Sequence, residues 1–413
     1  MRRVVITGLG ITSNIGNNKK EVLKSLKKGK SGIIFSKEMK EIGMNSNVWG
    51  KININFSKIY KNKFFKYMNK ETLYSYLAIQ DAIKDSFLLN SQYENNKRVG
   101  LVVGSGFCSV RNSSFRLQDN QQFYRNKFNK NFNNSNIYTL FQTMNSNMSA
   151  CLSTFLKISG ISYSISSACS TSANCIGHAY ELIKFGKQDI IFSGGSDVLT
   201  LDTAFYFDLI KVLSKKYNNN PKLSSRVYDI NRDGFVISEG SGIIVLEELE
   251  KAILRNAYIY GEIISYSSNS HGNSMVFPSE LGIYRCIKSA LKNIFSKIDC
   301  INVHATSTKI GDIIELNAIK KVFKNKKIPL ISSTKSMTGH SLGASGVHEI
   351  IFLLLMLKYN FIAPSINIEK MDPKIKGIKI VTSYKKIKLN TVMSNSLGFG
   401  GVNTTLVLKK FYN

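Results

Sequence analysis

Short runs of β-branched and apolar residues alternate along the chain with longer stretches in which apolar positions recur every three or four residues. This is the pattern of an α/β protein whose sheets are largely buried. Arg3 to Thr7, Val99 to Val103, Ser162 to Ser166, Asp189 to Phe192 and Gly242 to Leu246 predict strands in the first part. Ala257 to Ser265, Ile298 to Val303, Pro329 to Ser332, Ile378 to Val381 and Thr404 to Leu408 predict strands in the second. The spacing of Ala173, Ile176, Tyr180 and Ile183 predicts one buried helix, and that of Val347, Ile350, Ile351, Leu354 and Leu355 a second.

The two helices point to an internal duplication. Ser164 to Ser167 runs through Ala168-Cys169-Ser170 into the first; Leu330 to Ser333 runs through Thr334-Lys335-Ser336 into the second. Each helix is followed by a strand and later by a Gly-rich turn into a final strand, Gly240-Ser241-Gly242 in one case and Gly400-Gly401 in the other. Two similar halves are expected, residues 1–250 and 251–413, joined near Glu247 to Arg255.

Composition then removes several classes. A chain of 413 residues that is 43% apolar is long enough to bury a large core. Its longest apolar run, Ile350 to Leu357, falls far short of the roughly 20 residues that span a bilayer. Met1 to Thr7 is too short for a secretory leader. Six Cys without a CxxC pair argue against a disulfide framework or a zinc site and for a reducing, cytoplasmic setting. Lys and Arg exceed Asp and Glu by 56 to 27, a formal charge of +29. Nucleic acid, an acidic partner or an Asn- and Lys-rich compositional drift would each produce such an excess. The Gln118 to Asn147 segment, with Phe and Tyr among Lys, Arg and Asn, reads as an exposed insertion rather than a nucleic-acid arm. Gly8-Leu9-Gly10 is no dinucleotide fingerprint, because Ser13 stands where a third Gly is required.

Candidate chemistry gathers where strands end. Cys169 lies at a strand-to-helix turn, where free N–H groups and the helix dipole favour a thiolate. The other five Cys lack that setting. His304 follows a strand and His340 precedes a helix; His178 and His348 fall within helices as satisfied imidazoles, and His271 lies in a polar loop without a signal. A Cys with one His would suggest a protease or acyl hydrolase. Two His and a Lys on equivalent turns suggest a thiol that takes an acyl group, and imidazoles that polarise a carbonyl while a carboxylate leaves as carbon dioxide. The Phe399-Gly400-Gly401 turn offers N–H groups to a second oxyanion.

These residues carry a resemblance. Ser-Ser-Ala-Cys169-Ser-Thr-Ser-Ala, His304-Ala-Thr-Ser-Thr-Lys-Ile-Gly-Asp312, Lys335-Ser-Met-Thr-Gly-His340-Ser-Leu-Gly-Ala and Asn395-Ser-Leu-Gly-Phe399-Gly-Gly resemble the β-ketoacyl-acyl-carrier-protein synthases over essentially the whole chain. Within them the chain is most similar to the synthase I type of bacterial fatty acid synthesis. Synthase II and polyketide-type condensing enzymes are the nearest alternatives. A chain-length factor is disfavoured because Cys169 is present, and a nucleic-acid-binding protein on the same fold is a remote alternative.

The resemblance implies a thiolase-like fold of two βαβαβαββ halves in an α-β-α-β-α layering, a homodimer, and no intrinsic metal or redox cofactor. Phosphopantetheine would arrive on an acidic acyl carrier protein. Cys169 would carry the acyl chain, and His304 and His340 would donate to the malonyl thioester oxygen. Lys335 would set the local charge together with Glu315. The N–H groups of Cys169 and Phe399 would form an oxyanion hole, with the Phe399 ring as gate, and Thr306 and Thr308 would hold the pantetheine arm. Lys61, Lys63, Lys66, Arg125 and Lys127 would dock the carrier, and their charge would speed encounter. The chain departs from the family pattern at Ala305, where Gly is usual and a positive φ would bring strain, at Lys309 where Pro is usual, and at Leu397 where Phe is common. An active, slower enzyme is expected.

Overall fold

The computed structural model describes residues 1–54, 56, 63–107 and 137–412. Ten strands form its main sheet: β1 (Val4–Ser13), β2 (Val99–Gly104), β3 (Ser162–Ser164), β4 (Ile190–Asp197), β5 (Gly240–Glu248), β6 (Gly261–Ser270), β7 (Cys300–Asn302), β8 (Leu330–Ser332), β9 (Thr391–Gly398) and β10 (Val402–Lys409). Their spatial order is β8-β7-β9-β10-β6-β1-β5-β4-β2-β3.

That order contains the same topology twice. In the first half β2 is parallel to β3 and β4, β4 is antiparallel to β5, and β5 is antiparallel to β1. In the second, β7 is parallel to β8 and β9, β9 is antiparallel to β10, and β10 is antiparallel to β6. The halves meet where Val4 to Ile6 pair with Ile263 to Gly261, so the two five-stranded sheets run on into one another. The chain passes between halves through the short helix Leu249–Leu254.

Helices complete the layers. The outer layer of the first half is α1 (Lys70–Ser86) and α2 (Asn147–Leu156); that of the second is α4 (Glu280–Ala290) and α5 (Gly311–Val322). Between the sheets lie α3 (Thr171–Lys184) and α6 (Ser345–Tyr359), the two helices predicted from periodicity, packed on each other. Every residue of α6 from Ser345 to Leu357 is buried, which is why it reads apolar all round. Its apolar run serves the shared core rather than a membrane face.

Two expectations are corrected. Ile378 to Val381 is not a strand; only Ile380 bridges to Ile331. The strand missed in this half is β9, between β7 and β10, whose Ser394, Asn395 and Ser396 are buried and hydrogen-bonded, so its polar sequence hid a central strand. Gly8 and Gly10 sit inside β1 because α1 crosses it closely: a Cβ on Gly10 would lie 1.8 Å from the Ala78 carbonyl oxygen. The end of the Asn-rich segment is not a free arm where it is described. Asn147 is buried, donates to the carbonyls of Tyr67 (2.8 Å) and Phe141 (2.7 Å), and accepts from Thr72 Oγ1 at 2.7 Å.

Candidate active site

The ends of equivalent elements from the two halves converge on one cavity of about 320 Å³, lined by Cys169, His304, His340, Thr306, Thr308 and Phe399 among others. Cys169 sits on a single helical turn, Ala168–Ser170, between β3 and α3. Ala168 has φ +50°, so the turn is sharp. Thr171 Oγ1 holds it by accepting from the Ser167 N–H at 2.8 Å and donating to the Ala168 carbonyl at 2.7 Å. Ser170 Oγ donates across the molecule to the carbonyls of Ser396 (3.1 Å) and Val402 (3.2 Å), tying the nucleophile turn to the second half.

The expected thiolate is corrected. Burial pushes the Cys169 thiol up to about 12; the Lys335 charge and the N–H groups of Phe399 and Cys169 pull it back only in part, and Asp197 pushes it further up. Desolvation of a fully enclosed sulfur outweighs the helix terminus. The resting nucleophile is a thiol.

His304 and His340 stand with ring centroids 5.1 Å apart and planes at 89°. Both are held well below the usual histidine range, chiefly by burial and then by the Lys335 charge, so both rings are neutral. The backbone under His304 is fixed by Glu315, whose carboxylate accepts from the N–H groups of His304 (2.9 Å) and Ala305 (2.8 Å) and from Asn395 Nδ2 (3.2 Å). Glu315 makes no ion pair with Lys335, though the Lys335 charge acts on its carboxyl. Lys335 Nζ bonds Glu349, on α6, and both are buried. Burial raises Glu349 to about 7 against the pull of that ammonium.

Thr306 and Thr308 line the cavity on a turn wrapped around Asp312, which accepts from the N–H groups of residues 306, 307 and 308 at 3.1, 3.1 and 3.2 Å. The positive φ of this turn falls on Ser307 (+76°), not on Ala305, so the Ala305 methyl brings no backbone strain. Lys309 is exposed at the cavity mouth and Leu397 packs half-buried behind it.

Phe399 packs on Phe207 with centroids 6.2 Å apart. The turn beneath it needs glycine: Gly400 and Gly401 have φ +79° and +85°. A Cβ on Gly401 would also meet the His271 ring at 2.9 Å. His271 thus belongs to the cavity wall, although its loop carried no sequence signal. Glu349 was missed for the same reason, since nothing local links it to Lys335. His348 is the satisfied core imidazole expected. Of the docking candidates, Lys66 is exposed on the turn Lys63–Tyr67, its ammonium 5.9 Å from the Tyr138 ring centroid. Lys61, Arg125, Lys127 and the Lys63 side chain lie outside the described residues.

The repeated five-stranded topology with a cysteine and two histidines at one cavity defines a condensing enzyme of the thiolase type. Comparison with known proteins narrows the class. Residues 1–252 match the model of the beta-ketoacyl synthase N-terminal domain and residues 260–369 that of the C-terminal domain. The chain is 55% identical over 415 residues to the 3-oxoacyl-[acyl-carrier-protein] synthase 1 of Buchnera aphidicola subsp. Schizaphis graminum, covering 100% of each. A solved beta-ketoacyl synthase from Burkholderia phymatum STM815 superposes over 100% of both chains with TM-score 0.89 at 29% identity. A ketosynthase complex with a type II PKS acyl-carrier protein does so with TM-score 0.84 at 27%. The chain belongs to the β-ketoacyl synthase family.

Proposed function

We propose that this chain condenses malonyl-acyl carrier protein with a Cys169-bound acyl chain, giving 3-oxoacyl-carrier protein, carbon dioxide and free carrier, and so elongates fatty acids. The observation that carries the reading is the convergence of Cys169, His304, His340 and Phe399 on one cavity. In the first half-reaction the Cys169 sulfur attacks the acyl thioester and the carrier thiol departs, leaving a thioester intermediate. The tetrahedral oxyanion takes hydrogen bonds from the N–H groups of Cys169 and Phe399. In the second, the malonyl C–C bond breaks to release carbon dioxide. Imidazole donors stabilise the enolate oxygen, the carbanion attacks the acyl carbon, and as the C–S bond breaks Cys169 leaves as a thiolate that takes up one proton from solvent. Lys335, paired with Glu349, places a positive charge near Cys169 and the two histidines. Thr306 and Thr308 hold the pantetheine arm, and the reaction asks for no resident metal or redox cofactor.

The synthase I type is favoured over synthase II or a polyketide enzyme by the full-length identity to a synthase 1. An acidic carrier protein as partner accords with the +29 charge and with exposed Lys66, Lys211 and Lys309, the last two beside the cavity mouth. Homodimerisation is supported by β3, an edge strand paired on one side only among the described residues, which a second copy would cover. A cytoplasmic setting accords with five described cysteines, all free and buried.

Incubation with acyl-carrier protein should add the acyl mass to Cys169, and malonyl-carrier protein should then lose carbon dioxide. Activity no greater than that of a Cys169→Ala, His304→Ala double variant would overturn the reading. Lys66→Glu should raise KM for carrier-bound substrate in a salt-sensitive way; an unchanged KM would remove Lys66 from the docking surface.

A further inference from the structure

Asp197 ends β4 with its carboxyl group fully buried, and no lysine or arginine pairs with it among the described residues. Its partners come instead from two backbone segments beside the cavity. Oδ1 lies 2.5 Å from Ser105 Oγ and accepts the Phe107 N–H at 3.1 Å. Oδ2 accepts the Gly106 N–H at 3.1 Å and the N–H of Gly343. A carboxyl group that has given up its water is tolerated only where donors fill its oxygens, and three of these four are main-chain N–H groups.

Those N–H groups belong to the backbone on which the nucleophile turn rests. Gly343 lies in the single turn Leu342–Ala344, between His340 and α6, and Gly106 follows β2. A Cβ on Gly343 would lie 2.5 Å from Gly106 N, and one on Gly106 would lie 2.7 Å from the Ala168 carbonyl oxygen. Three backbones therefore touch with no side chain between them. Ala168, beside Cys169, has φ +50°, and Leu342, which lines the cavity, has the same left-handed φ of +50°. Neither residue favours that conformation, so both turns depend on what their neighbours hold. On its other side the Ser105–Phe107 segment reaches the aromatic wall: Phe107 packs on Phe207 with centroids 5.4 Å apart, and Phe207 on Phe399.

We propose that Asp197 is a positioning residue whose two carboxyl oxygens clamp the Ser105–Phe107 segment to the Gly343 turn, a platform that fixes the Cys169 turn relative to the Leu342 wall of the cavity. The inference rests on the condensing reading and adds to it a residue that does not itself line the cavity. The clamp needs acceptor oxygens. In Asp197→Asn the amide oxygen can keep Gly106 and Gly343, while Nδ2 donates to Ser105 Oγ, whose own proton goes to the Phe107 carbonyl 2.5 Å away. Only the Phe107 N–H is then stranded, whereas Asp197→Ala strands all three N–H groups.

Steady-state kinetics and hydrogen exchange on the full-length protein test this, with circular dichroism establishing that each variant is folded. Asp197→Ala should lower kcat about 10- to 100-fold while KM for carrier-bound substrate stays within about twofold, because a displaced nucleophile weakens the transition state and not substrate binding. Asp197→Asn should recover to within about fivefold of wild type. Exchange at the Gly343 N–H, read by mass spectrometry on the peptide that carries it, should be slow in wild type and in Asp197→Asn and at least about tenfold faster in Asp197→Ala. Should Asp197→Ala not fold, Asp197→Asn combined with Ser105→Ala takes its place: Nδ2 then has no hydroxyl to orient the amide, and the same kinetic split and faster exchange are expected. A wild-type kcat in the unclamped variant, equal changes in kcat and KM, unchanged exchange at Gly343, or an Asp197→Asn as impaired as Asp197→Ala overturns the proposal. Exchange needs no carrier substrate, so a wild type that exchanges as expected but condenses nothing sinks the function and leaves the clamp standing.

Discussion

The ammonium of Lys335 is bonded to the carboxylate of Glu349, a residue on α6, and both side chains are buried. The Lys335 charge acts on Cys169, His304 and His340, lowering the thiol and both imidazoles. A buried pair of this kind is costly to break from one side.

Glu349→Ala should therefore destabilise the protein by about 3–5 kcal/mol, because it strands a buried ammonium. Replacing both partners, Lys335→Met with Glu349→Leu, should cost less stability than Glu349→Ala alone while abolishing condensation. Urea unfolding of the three proteins measures this. A double variant less stable than the single one would contradict the account.

Stability should respond to pH through His348 and Glu349 in opposite senses. Burial holds His348 at about 4 in the fold against 6.5 unfolded, so its contribution is present above pH 6.5 and lost as pH falls toward 4. That loss is on the order of 3 kcal/mol. Glu349, raised to about 7 from 4.5, contributes below pH 4.5 and loses it as pH rises to 7. His348→Gln removes the first effect, so between pH 4.5 and 6.5 its stability should fall with rising pH more steeply than that of wild type. Parallel curves from urea unfolding across this range would rule it out.

Glu315 acts on catalysis through the backbone of His304. Glu315→Ala should lower kcat 10- to 100-fold with a smaller change in KM, since a displaced imidazole weakens the transition state more than substrate binding. Glu315→Gln, which keeps one acceptor oxygen, should fall between the two. Equal effects on kcat and KM in steady-state kinetics would argue against this role.

Two adjacent glycines should differ in sensitivity. Gly400→Ala adds only the strain of a positive φ, about 1–2 kcal/mol, because a Cβ there meets nothing within 4 Å. Gly401→Ala adds that strain and a collision with His271, so it should cost more stability and more activity. Thermal unfolding and initial rates decide the order; a reversed ranking would show that the His271 ring moves aside freely.

Period and local punctuation were enough to reveal the duplicated α/β architecture, both central helices, and Cys169, His304, Lys335 and His340 as candidate chemistry, because each is written in neighbouring residues. A strand or helix announces itself through its own spacing, and a turn through its small residues. What depends on partners far along the chain was settled only by folding. The Ile378 to Val381 run looked like a strand but only bridges β8 at the edge of the sheet, whereas β9, which did not look like one, is central because its polar residues are satisfied across the sheet. Lys335 pairs with Glu349 rather than Glu315 because α6 brings Glu349 to it, and Glu315 is spent on two backbone N–H groups. The protonation of Cys169 turned on the same cause: a helix terminus is a local feature, whereas the loss of water around the sulfur is produced by both halves closing on it.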